Sequence, residues 1–299
     1  MVTESLILLA IGLVAGVVGG LLGIGGSVVM IPALTLVFGT KQHLYQGAAM
    51  MANFFVALPA ALQHRRAGAV LPRLVAIMIP FSVVGVVSGV WLSAGPWFQG
   101  EREVHLARVF GVFLLYVVGY NVYRLLSNRR FADMDDDAAR GLPGWKIALG
   151  VGLPTGLLGG LLGIGGGVLA VPLQQVLLRV PLRRAIANSA ATIIPLSLIG
   201  ATYKNYCNAL AGVAFVDALR LAVLLIPTAM LGGYLGGRLT HVAPRRGLRI
   251  AFTLLMCYAA VTLIRRPART SLPVTRPAPA SATSPSRAVP GVGGATLAH

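Results

Sequence analysis

The chain has 299 residues, of which 56% are apolar or aromatic and only 11% charged, against about 25% charged in an ordinary soluble domain. Mean hydropathy is +0.80, more apolar surface than a soluble fold of this length can hide, so a soluble enzyme and a free nucleic-acid binder are excluded. The formal charge of +17 comes from 25 Lys+Arg against 8 Asp+Glu, and the basic residues stand between long apolar runs, as in the loops of a polytopic membrane protein.

A membrane-crossing helix needs about 20 apolar residues. In chain order the apolar segments are 4–38, 46–63, 72–94, 104–126, 145–178, 185–203, 216–239 and 247–264. Two are too long for one crossing. A continuous helix over 4–38 would run about 50 Å, against a hydrocarbon core of about 30 Å. Both long segments contain a glycine cluster at which a helix would break. The first segment carries only Glu4 before Lys41 and has no basic stretch ahead of it, so it reads as retained membrane structure rather than a cleaved signal. The stretch 127–144 is polar, with Arg129, Arg130, Asp133, Asp135, Asp136, Asp137 and Arg140. From Arg265 the chain turns proline-rich and is expected to be disordered. The expected organisation is a first membrane repeat over 1–126, a mid-loop over 127–144, a second repeat over 145–264 and a tail over 265–299. The expected fold class is an all-α polytopic membrane protein with two repeated halves of about four helical segments each.

The repeat is carried by GGLLGIGGSVVMIP at 19–32 and GGLLGIGGGVLAVP at 159–172, offset by 140. A weaker match pairs GVVSG at 85–89 with GYLGG at 233–237, offset by 148. Broken helices at corresponding places in two halves point to a transporter's binding site. Gly23, Gly25 and Gly26, with Gly163, Gly165, Gly166 and Gly167, can break the helix without Cβ clashes. Half-helices at 28–38 and 168–178 would start there, with free N–H groups and the positive end of the helix dipole. Together these make an anion cradle without a charged side chain. Pro32 and Pro172 are expected in the first turns, where proline costs least. Glycine also lets helices pack closely, and Gly16, Gly19, Gly20, Gly156, Gly159 and Gly160 keep that reading. The first copy has Ser27 where the second has Gly167, which could make the loops unequal. No Lys-Ser/Thr follows the glycines, as a phosphate-binding P-loop would need.

The acids are Glu4, Glu101, Glu103, Asp133, Asp135, Asp136, Asp137 and Asp217, and none lies deep in an expected span. Cation transporters and carboxylate proton relays usually place acids at depth, so an anion or a neutral solute is favoured. Asn188, Ser189 and Thr192 in the second half, and Asn53 in the first, are the polar groups of otherwise apolar stretches. They read equally as substrate contacts or as hydrogen-bonding glue between helices. His64 and Lys204 fall at the same offset of 140. With Gln63, Arg65 and Tyr203 they could line a basic vestibule, although side chains reaching for the interface are the preferred reading. Cys207 and Cys257 read as core residues. No metal-ligand cluster, cofactor motif or nucleophile–base pair is present, so no metal, no cofactor and no enzyme activity are expected. The expected partners are the lipid bilayer and a small anion, with no nucleic acid and a homo-oligomer left open.

GLLGIGGGVLAVPL at 160–173 and GLLGIGGSVVMIPAL at 20–34 resemble the signature of the TauE/SafE family of membrane permeases, and the resemblance runs over 4–264. It implies a multi-pass inner-membrane protein that exports sulfite or organosulfonates, or moves other small sulfur-containing anions. No ATP-binding motif is present, so a gradient would drive it. The alternatives are a passive anion channel and a membrane subunit without a transport cycle. If each broken segment crosses once, the loops on the two sides carry ten Lys/Arg each. If each is a re-entrant hairpin, each half crosses three times, the halves are inverted, and the division is fifteen to five. The positive-inside rule prefers the second arrangement.

Overall fold

The computed structural model describes residues 2–39, 41–99, 102–126, 141–239 and 245–265. Most of the expected mid-loop and the tail beyond Arg265 lie outside the described residues. The first half contributes α1 (Val2–Leu22), α2 (Ser27–Phe38), α3 (Gln42–Arg66), α4 (Pro72–Ser93) and α5 (Glu103–Leu126). A π-helical stretch, Lys146–Gly152, then leads into α6 (Leu153–Leu162), followed by α7 (Gly167–Leu177), α8 (Leu182–Leu210), α9 (Phe215–Leu239) and α10 (Arg245–Arg265). The described residues are all-helical apart from short connections. Five helices, beginning at Thr3, Gln42, Pro72, Leu182 and Phe215, are long and apolar enough to cross a membrane. By contrast α2 and α7, of 12 and 11 residues, reach only about 18 Å, roughly half a bilayer.

The breaks fall where the glycines stand. Gly23 and Gly25 have φ of +63° and +81°, and Gly163 and Gly165 have +71° and +66°, the left-handed region that side chains with a Cβ avoid. Gly163 closes α6, and its N–H bonds to the Gly159 carbonyl. The two prolines depart from expectation. Pro32 and Pro172 lie a turn further in, inside α2 and α7. There each removes the N–H that would have bonded the carbonyl four residues back, at Val28 and Val168.

Two glycine seams hold the halves together. Along α1 and α9, a Cβ on Gly16 would stand 2.2 Å from the Ala229 carbonyl oxygen, and one on Gly20 2.4 Å from that of Gly233. Along α4 and α6, a Cβ on Gly156 would stand 2.0 Å from the Ser82 oxygen, and one on Gly160 2.2 Å from that of Val86. Backbone touches backbone, so these glycines have the packing role expected of them. The return contacts also correct the weaker repeat. Gly85 meets Leu153 and Leu157 as Gly232 meets Leu13 and Val17, and Gly89 repeats Gly236. The fourth helices therefore correspond at an offset of 147, one residue from the 148 of the sequence match.

These contacts also fix helix directions. Gly12, Gly16 and Gly20 meet Leu225, Ala229 and Gly233 in turn, and Gly233 and Gly237 meet Val56 and Ala60. So α1, α9 and α3 run the same way. The chain leaves α1 beside the middle of α3, where the Ser27 N–H donates to Asn53 Oδ1. At the far end of α2, Thr35 Oγ1 donates to Gln42 Oε1 at the start of α3. Thus α2 doubles back. Around the second half, α4 of the first half runs with α6 through the glycine seam. It also runs with α8, through Leu71 to Asn188 at one end and Lys204 to Ser93 at the other. The equivalent helices α3 and α8 are antiparallel: the His43 carbonyl accepts from Asn208 Nδ2, Gly47 abuts Asn205, and Met50 abuts Gly200.

Candidate functional site

The loops Gly23–Gly26 and Gly163–Gly166 are buried and press on the ends of the helices that precede them. A Cβ on Gly19 would lie 2.6 Å from the Gly26 nitrogen, and one on Gly159 2.5 Å from the Gly166 nitrogen. Gly26 abuts Ala15, and Gly166 abuts Thr155. Each loop also packs on the long helix of the other half, Gly23 on Ile186 of α8 and Gly163 on Gln46 of α3. All these pairs correspond at the offset of 140, so the duplicated residues make duplicated contacts.

Asn53, wholly buried midway along α3, joins the two loops. Its Oδ1 accepts the Ser27 N–H at 3.1 Å, and its Nδ2 donates to Ser27 Oγ at 2.9 Å and to the Ile164 carbonyl at 3.1 Å. A helix's first N–H groups have no acceptor within the helix, and at α2 the Asn53 amide supplies one. In the second copy Ile193 stands in place of Asn53 and Gly167 in place of Ser27. A Cβ on Gly167 would meet Ile193 Cδ1 at 2.5 Å and the Ile24 carbonyl at 2.7 Å, so the serine does not fit there. The Ser27/Gly167 departure is one half of a paired exchange. The loops differ in backbone as well: Gly26 has φ −74° and Gly166 +83°.

Ser189 also bridges the loops, its Oγ donating to the Gly23 carbonyl at 2.7 Å and lying 3.3 Å from that of Gly167. The other two polar residues of that stretch have different neighbours. Asn188 Oδ1 accepts the Leu71 N–H at 2.7 Å, and its Nδ2 donates to Gln174 Oε1 at 3.0 Å. It ties the first turns of α8 to α7 and to the start of α4. Thr192 Oγ1 donates to the Asn188 carbonyl of its own helix at 2.8 Å. So Asn53, Ser189 and the seven loop glycines come together, while Asn188 and Thr192 bond to protein groups outside the loops.

Sequence reasoning missed Gln46, Thr155 and Ser197. Gln46 Oε1, Thr155 Oγ1 and Ser197 Oγ are buried without a hydrogen-bond partner. Ser197 Oγ lies 2.9 Å, and Asn53 Nδ2 2.8 Å, from the point where a Cβ on Gly165 would stand. The signal was available in the repeat, since Thr155 and Ser197 replace Ala15 and Ala57 at the offset of 140. Lys204 departs from the expectation of a side chain reaching for the interface. It is wholly buried, and its Nζ donates to His43 Nδ1 and to Ser93 Oγ, both at 2.8 Å. His43 Nε2 in turn lies 2.7 Å from the Phe98 carbonyl. His64 is buried as well.

Apolar helices of membrane-crossing length around a buried, uncharged joint of glycine loops define an all-α, multi-pass membrane protein of the transporter class. The profile of the sulfite exporter TauE/SafE family matches residues 8–263, and the chain belongs to that family. It is 30% identical to "Probable membrane transporter protein MamO" of Magnetospirillum gryphiswaldense over 85% of this chain, and spans 44% of that relative's length. Other relatives are matched over nearly their full length. A "Probable membrane transporter protein" of Xylella fastidiosa is 31% identical over 89% of this chain and 97% of its own. YdhB of Bacillus subtilis, with the same description, is 26% identical over 83% of this chain and 96% of its own. No solved structure matches the chain.

Proposed function

We propose that the protein is a secondary permease of the inner membrane that exports a small sulfur-containing oxyanion, such as sulfite or an organosulfonate. The observation that carries the reading is the meeting of two glycine loops, one from each half, at Asn53. Each loop opens a short helix, and no acidic side chain stands near either loop among the described residues. Dipole ends and neutral donors favour an anion there. The halves act as inverted repeats, with α1–α2 and α6–α7 as re-entrant hairpins that bring the loops to mid-membrane. The helix directions and the fifteen-to-five division of basic loop residues support this topology. Two inverted units that meet at a central site are suited to alternating access. The bilayer and the anion are the partners this function needs, and the +17 charge is loop charge rather than a nucleic-acid surface.

The test is flux of labelled sulfite in proteoliposomes holding the full chain. Saturable flux that is driven by an imposed gradient and slowed by taurine or thiosulfate supports the permease. Non-saturating conductance would make the protein a channel. No flux of any of the three solutes, with folded protein in the membrane, would remove the transport reading.

A further inference from the structure

We infer that the two loops are unequal toward substrate: the second, Gly163–Val168, with the hydroxyls of Ser197 and Thr155, takes the oxyanion, while the first is sealed by Asn53. This rests on the permease reading above. Of the buried serines and threonines among the described residues, Thr155 and Ser197 are the two without a hydrogen-bond partner. The others have partners: Ser27 accepts from Asn53. Thr35 gives to Ile31, Thr192 to Asn188, Ser82 to Gly152 and Ser189 to Gly23. Leaving a buried hydroxyl unpaired is costly, and both unpaired ones stand at the same loop. Ser197 Oγ is aimed at Gly165, 2.9 Å from its Cβ position, and at Gly166 it is the Cγ2 methyl of Thr155, on the carbon that bears its hydroxyl, that lies 2.8 Å from the Cβ position. These two glycines lead directly into α7, where the N–H groups of Leu169 and Ala170 bond the Gly166 carbonyl and those of Gly167 and Val168 have no acceptor within the helix.

The duplication supplies an internal control. Around the first loop the equivalent positions are Ala15 and Ala57, both buried and without a hydroxyl. There Asn53 Oδ1 already occupies the Ser27 N–H. Around the second loop the equivalent of Asn53 is Ile193, which offers no acceptor. Hydroxyls are therefore added at the loop that lacks an internal cap. Sulfite and a sulfonate head each present three oxygens, which hydroxyl and amide donors can satisfy. Neutral donors hold such an ion without the tight charge pairing that would slow its release.

The experiment compares Ser197→Ala and Thr155→Val with the unaltered full chain. Sulfite is the probe, read both as flux in proteoliposomes and as a shift of melting temperature in detergent. Each variant is expected to raise the apparent KM, and the sulfite concentration giving the half-maximal melting shift, by about tenfold. The melting temperature without sulfite should hold or rise, because removing an unpartnered hydroxyl removes a cost. A merely structural role predicts the reverse, a lower melting temperature and an unchanged KM, and that result overturns the inference. If the unaltered protein binds and carries sulfite while both variants match it, the inference alone fails. If the unaltered protein neither binds nor carries sulfite, taurine or thiosulfate, the permease reading fails and this one with it.

Discussion

At Asn53 one side chain bonds to both halves. Its amide protons go to Ser27 Oγ in its own half and to the Ile164 carbonyl in the other. Replacing it with alanine strands the Ser27 N–H and the Ile164 carbonyl, at about 1–3 kcal/mol for an unpaired buried group. Asn53→Ala is therefore expected to lower the melting temperature of the protein in detergent. A double-mutant cycle with Ser27→Ala should show coupling of about 0.5–3 kcal/mol, and additive losses would mean that the joint is not a unit. Asn188→Ala should likewise lose stability, since Leu71 N–H and Gln174 Oε1 both rely on it. A raised KM for sulfite at an unchanged melting temperature would instead make Asn188 a substrate contact. The glycines and Asn53 were legible in the sequence because they stand out in an apolar field. Thr155 and Ser197 were not, because a hydroxyl in a membrane helix usually bonds to its own preceding turn, and nothing in one dimension says that these two do not.

At the scale of elements, the sequence reading located the broken segments because chain length and bilayer thickness disagree, and the glycines lie where the helices end. It placed the prolines in the first turn and they lie in the second, since the helices start at Ser27 and Gly167, one residue earlier than expected. It also misjudged the fourth-helix offset by one residue. The register of α4 and α9 is fixed by the helices they touch, α6 and α1, which lie in the opposite halves. That register makes the seams intolerant. In Gly156→Ala the new methyl would stand 2.0 Å from the Ser82 carbonyl oxygen, and in Gly16→Ala 2.2 Å from that of Ala229. Neither neighbour is a flexible side-chain end, so the helices must part. Both variants are expected to lower folded yield and transport together. Gly39 gives the contrast, with φ +91° but nothing within 4 Å of its Cβ position. Gly39→Ala should cost about 1–3 kcal/mol of backbone strain and leave transport per folded molecule unchanged. If Gly156→Ala and Gly39→Ala lose yield equally, the seam contacts are not what sets it.

For the whole molecule the deciding question is how many times each half crosses the bilayer. The direct contacts give α1 the direction of α3 along their shared neighbour α9, and give α6 the direction of α8 along α4. A chain that runs up α1 and must begin α3 at the bottom has to come back down, and α2 is the segment that does so. On the proposed topology the pair α1–α2 adds no net crossing, nor does α6–α7, which leaves three crossings in each half and inverts the second, in keeping with the antiparallel α3 and α8. On this topology the loops after α3, after α5, after α7 and after α9 share one face. That face holds the fifteen Lys/Arg of the uneven division, so it is cytoplasmic by the positive-inside rule. Reporter fusions after Ala138 and after Ile264 read the two faces directly. Alkaline phosphatase, active only outside the cytoplasm, should be silent after Ala138 and active after Ile264, and a cytoplasmic fluorescent reporter should give the reverse. Eight simple crossings place both positions on one face, so matching signals from the two fusions would sink the inverted arrangement.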